Sequence, residues 1–228
     1  FRWTSGESSE WLFLFWRSNG ILIASLIAFN VRPSQGRFKS LRVGFAKNLL
    51  AGTLMAGMFT AFIVSIARID TATTLFLQSL APFSAALFGW LLLRERVDAH
   101  TWAAMGTAVV GITVMGSSWD LSNAIGLGTA ACIPLMLGIY TVLLRSSQDR
   151  DPRGPVIFAA LIGILIGSAA AYMTGGFGLP LRDAMLALAS GGVVLGVGLP
   201  IFNLAGRYVP AARASLLLLS EIVLAPFW

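Results

Sequence analysis

Long apolar runs separated by short polar ones divide the chain into eight segments. They are Trp11–Val31, Asn48–Ala67, Thr73–Leu93, Thr101–Gly116, Ala124–Leu144, Pro155–Met173, Met185–Ala205 and Ala211–Trp228. The apolar residues are grouped in continuous stretches rather than spread at strand or surface-helix periods. Most stretches are close to the roughly 20 residues needed to cross a hydrocarbon core about 30 Å thick, and the fourth is shorter. An open sheet edge leaves backbone N–H and C=O groups unsatisfied in lipid, so runs of this kind predict helices. The expected fold is all-α, a polytopic transmembrane helical bundle.

Composition agrees with that reading. Hydrophobic residues make up 57% of the chain and charged residues only 11%, against roughly 25% charged in soluble domains. Too few charges remain to solvate a globular surface. The longest polar connection, "RPSQGRFKSLRVGFAK", joins the first two segments. There is no linker, low-complexity tract or second domain, so function is expected to come from the bundle.

The net charge of +6 is explained by where the cations fall. Alternate connections carry Arg32, Arg37, Lys39, Arg42 and Lys47, then Arg94 and Arg96, then Arg145, Arg150 and Arg153, then Arg207 and Arg213. The other side carries only Arg2, Arg68 and Arg182, and Arg17 lies within the first segment. Cation-rich connections stay in the cytoplasm, so the basic balance needs no nucleic-acid partner. Eight crossings put both visible ends outside. Trp11, Trp90, Trp102 and Trp119 sit near segment ends, as interfacial anchors do. The single cysteine, Cys132, rules out a disulfide framework and reads as a small buried hydrophobe.

Shifting the chain by 140 residues lays Gly52 on Gly192, Phe62 on Phe202, Ala72 on Ala212, Leu77 on Leu217 and Ala85 on Ala225. The identities are few, but in both stretches a helix, a short polar turn and a second helix line up. The offset is five segments, and an odd number of crossings inverts the second copy. Inverted repeats of this kind build secondary transporters whose sites lie near the bilayer midplane. The expected division is residues 1–116 and 117–228, each one repeat. Completing both repeats calls for ten helices, with one more before Phe1 and one after Trp228, and both true termini in the cytoplasm.

Several residues inside the runs can carry chemistry. Thr74, Gln78 and Pro82 follow at i, i+4 and i+8 and share one helix face. Pro82 withholds the hydrogen bond that the Gln78 carbonyl would accept. The stripe either meets a cavity or belongs to a kinked structural helix. Pro134 and Pro200 mark two further kinks, and Gly163–Gly167 and Gly192–Gly196 have the spacing of close helix contacts. Glu221 stands alone in the last run, "ARASLLLLSEIVLAPFW", about 16 Å into its helix. A carboxylate there is interior-facing, paired or functional. It either binds a proton or a cationic substrate group, or locks two helices, with Arg17 as one available counter-ion. Arg17 itself, roughly 9–10 Å from its helix's outer end, can also snorkel to the interface. Asn203, Ser79, Ser220 and Tyr140 are further cavity candidates.

The stretch "IDTATTLFLQSLAPFSAALFGWLLLRERVDAHTWAAMGTAVVGITVMG" is similar to the fourth and fifth helices of the EamA-type branch of the drug/metabolite transporter superfamily. "VPAARASLLLLSEIVLAPFW" resembles the matching stretch of that family's second repeat, and "WLFLFWRSNGILIASLIAFNVR" its second helix, with an Arg in the outer third. The resemblance covers the whole chain as helices two to nine of ten. One departure is that Ile222 stands where the first repeat has Pro82, with Pro226 four residues later. The resemblance implies export of a small metabolite, such as an amino acid, or of a drug, by alternating access in the bacterial inner (plasma) membrane. The expected partners are the small-molecule substrate, membrane lipids, a candidate coupling proton and, as an open alternative, a second copy of the chain. An importer of the same fold and a non-transporting scaffold or subunit stay open as alternatives. An enzyme is disfavoured: the only histidine, His100, lies at a helix end beside Asp98, and no metalloprotease or serine-hydrolase motif is present. No cofactor or metal is expected. Filter loops or charged rings of a channel are also absent from the sequence.

Overall fold

The computed structural model describes residues 10–31, 44–94, 99, 102–103, 106–107, 110, 123–145, 151, 153–174 and 178–205. Its helices are α1 (Glu10–Val31), α2 (Phe45–Ile66), α3 (Thr71–Gln78), α4 (Ala81–Leu93), α5 (Ala124–Arg145), α6 (Gly154–Thr174), α7 (Leu181–Ala189) and α8 (Val197–Ala205), with a π-helical segment, Ser190–Gly196, joining α7 to α8. Among the described residues six spans are long and apolar enough to cross a membrane, α3–α4 and α7–α8 each making one. No strand occurs among the described residues. The chain is an all-α polytopic membrane bundle. The eighth predicted segment, and all but a few positions of the fourth, lie outside the described residues.

Two spans depart from single helices. The third is broken at Ser79–Leu80, where the Ser79 N–H reaches the Phe76 carbonyl and the Leu80 N–H the Leu77 carbonyl, at 3.1 Å each. These short-range bonds tighten the last turn of α3. Pro82 then sits in the first turn of α4, where its missing N–H is no loss. The Leu181–Leu204 span, the seventh predicted segment, begins four residues before the expected Met185 and widens to π geometry before Pro200. Pro200 has no N–H for the carbonyl four residues back, and the glycine-bearing wider turn lies immediately ahead of it. Pro134, by contrast, stays inside a continuous α5.

The described chain falls into two compact units. Of the described residues, one comprises those up to Thr60 and from Asp151 to Ala205, the other those from Ala61 to Arg145. Each unit draws on both halves of the sequence.

In the first unit, α1 and α6 are antiparallel. Ser18 lies against Gly163 and Phe15 against Gly167, so the predicted glycine pair does line a helix contact. At the far end the Arg153 guanidinium donates to the Ala28 carbonyl at 3.0 Å, one of the last α1 carbonyls without an intrahelical partner. α2 lies parallel to α6, with Asn48 at Gly154, Gly52 at Phe158 and the Phe45 and Phe158 rings edge-to-face. The α7–π–α8 span runs parallel to α1: Gly20 meets the Leu188 carbonyl, Gly191 the Arg17 carbonyl and Gly196 the Ala24 side chain. Glycine is required at Gly20 and Gly191 because an added Cβ would strike backbone.

In the second unit, α3–α4 runs parallel to α5. Gly126 packs on Arg68 and Ile69 at one end, and Gly138 on Ser84 and Phe88 further along. Within each unit the helix directions agree with the alternation read from the cations. Lys47 and Arg153 share one end of the first unit, and Arg94 and Arg145 one end of the second. Cys132 is exposed on α5 rather than buried.

Candidate functional site

The second unit carries a polar line through an otherwise apolar span. At the α2–α3 turn, Ser65 and Thr74 are fully buried and their hydroxyls lie 2.8 Å apart. One turn along the same face is Gln78, whose Oε1 is buried and has no hydrogen-bond partner among the described residues. A further turn brings Pro82, buried at the start of α4. Gln78 lies about 10 Å from the start of the Thr71–Leu93 span. An amide oxygen held away from water without a partner carries a desolvation penalty of about 1–3 kcal/mol, so it is the one group on this stripe whose hydrogen-bonding capacity is still open. Just beyond the break, the buried Ser84 hydroxyl donates to the Pro134 carbonyl of α5. Ser79 is occupied locally, donating to the Phe76 carbonyl at 2.6 Å.

The other predicted residues are dispersed. Tyr140 is buried on α5, in the second unit. Asn203, on α8 of the first unit, is fully buried. Arg17, on α1, has a buried Nε, and its guanidinium carbon lies 6.0 Å from the Phe59 ring centroid. The three prolines fall in two units: Pro82 and Pro134 in the second, Pro200 in the first. Glu221 and Ser220 lie outside the described residues.

Sequence pattern does not single out Ser65, Ser84 or Asp183. Ser65 closes the second segment and Ser84 sits in an apolar run, where serine is common and carries little signal. Asp183 falls in a predicted connection, two residues before the expected start of its helix. It is in fact fully buried in the first turn of α7. No cluster of His, Cys, Asp and Glu able to hold a metal occurs among the described residues.

The sequence matches the EamA-like transporter family over residues 1–117 of 228. The chain belongs to that family. It is therefore a multi-pass membrane protein of a transporter family within the drug/metabolite superfamily. This EamA-like transporter also shares its fold with a known crystal structure, with a TM-score of 0.75 at 15% identity over 97% of this chain and 80% of that one. Identity that low shows the fold alone. No curated protein matches the EamA-like chain in sequence.

Proposed function

We propose that this protein is a secondary transporter that exports a small metabolite or drug from the bacterial cytoplasm across the inner membrane by alternating access. The observation that carries the reading is the interrupted polar span of the second unit. Discontinuous membrane helices with polar groups near mid-membrane are how secondary transporters build substrate sites, and irregular backbone at that depth is tolerated where it is buried or faces a cavity. Gln78 is the residue proposed to meet substrate, through the amide oxygen that no described residue satisfies. Thr74 is proposed to position α3 through its bond to Ser65, and Pro82, one turn after Gln78, to start α4 where α3 has ended.

The inverted-repeat plan is part of the same proposal. Parallel packing of α2 on α6 is matched by parallel packing of the α7–π–α8 span on α1, and the 140-residue offset relates Gly52 on Phe158 to Gly192 beside Gly20 to within two positions. The family match over residues 1–117 spans nearly the proposed first repeat. Glu221 enters the proposal as a candidate proton or cation site from its sequence position alone.

The test is metabolite profiling by mass spectrometry of medium from bacteria expressing the full-length natural protein, beside Gln78→Ala and Glu221→Ala. A small set of metabolites enriched outside by the wild type and lost in Gln78→Ala supports export through this site. Enrichment unaltered by Gln78→Ala removes the site. Depletion of the medium rather than enrichment favours the importer reading.

A further inference from the structure

Asp183 has no part in the function proposed above. It is 0% exposed, on the first turn of α7, within the Leu181–Leu204 span. A carboxylate removed from water in a membrane helix pairs with a cation, or else takes up a proton. The charged groups on the described helices of this unit are few. α1 carries Glu10 and Arg17, α2 carries Lys47 at its start, and α7 carries Arg182 beside Asp183. The described helices α6 and α8 and the π segment carry none. Lys47 is at the opposite, cation-rich end. Arg182 is exposed, and neighbouring helix positions point about 100° apart. Glu10 has the wrong sign. Arg17 is left.

The register brings Arg17 within reach. The Leu188 carbonyl meets Gly20, three residues after Arg17, which sets Arg17 level with about residue 185 (188 − 3). Gly191 meets the Arg17 carbonyl itself. Those two contacts bracket the level of Arg17 on the neighbouring span, and Asp183 lies on its N-terminal side by up to about two turns. The helices are parallel, and long helical side chains lean back toward the N-terminus, so Arg17 extends toward the level of Asp183. Its buried Nε and its approach to Phe59 keep the side chain within the protein.

We infer that Arg17 and Asp183 form a buried ion pair that latches the first turn of α7 onto α1. The latch sits on the N-terminal side of the π segment, so α7 is held with α1 while the glycine-rich turn and Pro200 allow α8 a separate position. The pair does not depend on the transport reading, and its tests do not use transport.

The first test is a thermal-stability cycle on the detergent-solubilised full-length protein with Arg17→Gln, Asp183→Asn and the double variant. Removing one partner strands a buried charge, whereas removing both does not. The double variant is expected to recover roughly half or more of the Tm lost by the worse single variant. If neither single variant can be purified, recovery of folded protein in the double variant reads the same way. A double variant no better than the worse single overturns the pair, as does the same recovery when Arg17→Gln is combined with Glu221→Gln instead. The second test addresses the latch. Ala187, fully buried one turn beyond Asp183, is changed to Cys in a Cys132→Ser background, and its reaction with a membrane-impermeant maleimide is timed in whole cells. Neutralising both partners is expected to speed labelling about tenfold, equivalent to ~1.4 kcal/mol. Equal rates would overturn the latch while leaving the pair to the first test.

Discussion

The contact between Gly191 and α1 gives a sharp prediction. A Cβ built on Gly191 would overlap the Arg17 carbonyl oxygen and would lie 2.8 Å from its carbon and 3.0 Å from its Cα. Carbon atoms pack comfortably at about 3.5–4.0 Å. All three obstacles are backbone, so no rotamer change relieves them, and α1 must move away from the π segment. Overpacking of this kind costs about 1–3 kcal/mol. Alanine's better helix propensity offsets at most about 1 kcal/mol of that. Gly198, on the same span, has nothing within 4 Å of where a Cβ would stand, so Gly198→Ala keeps the propensity gain without the clash. The propensity gain is common to both, so the two substitutions should differ by the cost of the clash, about 1–3 kcal/mol, with Gly191→Ala the less stable. At about 2–4 °C per kcal/mol for a chain of this size, Gly191→Ala should melt about 2–12 °C below Gly198→Ala in the same detergent. Thermal unfolding followed by size-exclusion chromatography measures the difference. Equal melting, or a more stable Gly191→Ala, would refute the close packing of α1 on the π segment.

Other substitutions probe the second unit and the helix ends. Ser84→Ala removes the bond to the Pro134 carbonyl and should lower stability by about 0.6 kcal/mol, with ~1.7 kcal/mol as a ceiling for such interhelical bonds in membranes. Ser65→Ala and Thr74→Val should couple in a double-mutant stability cycle by a similar amount, because their hydroxyls bond each other. Gln78→Leu should leave stability unchanged or raised, since it removes a buried amide oxygen that no described residue satisfies, and should abolish export; a variant that transports normally would sink the proposed role. Arg153→Met loses the bond to the Ala28 carbonyl and should lower stability by about 1 kcal/mol, read by the same melting assay.

The spans are readable in the sequence because lipid permits so little else. A run such as Pro155–Met173 has no charged residue at which to stop, and α6 extends just one residue past each end of it. The limits of α7 are not readable in the same way. Arg182 and Asp183 look like a polar connection in the sequence. They join the helix because Asp183 is withdrawn into the protein, which hydropathy cannot anticipate. The stripe of Thr74, Gln78 and Pro82 follows from spacing. That Thr74 is occupied by Ser65 while Gln78 is not depends on how α2 turns into α3, and no local pattern encodes it.

Composition and run length determine by themselves that this chain is a helical membrane protein, and where most of its described spans lie. Those properties rest on the solvent: the bilayer core rewards apolar length and closed backbone bonding, and both are written residue by residue. The tertiary structure alone decides which glycines touch backbone, which polar groups are satisfied and which buried charges share a helix contact. Gly191 against Arg17, Ser84 against Pro134 and Asp183 inside α7 are consequences of packing between segments far apart in the chain. A small residue or a lone acid reads the same in sequence whether its neighbour is lipid or another helix.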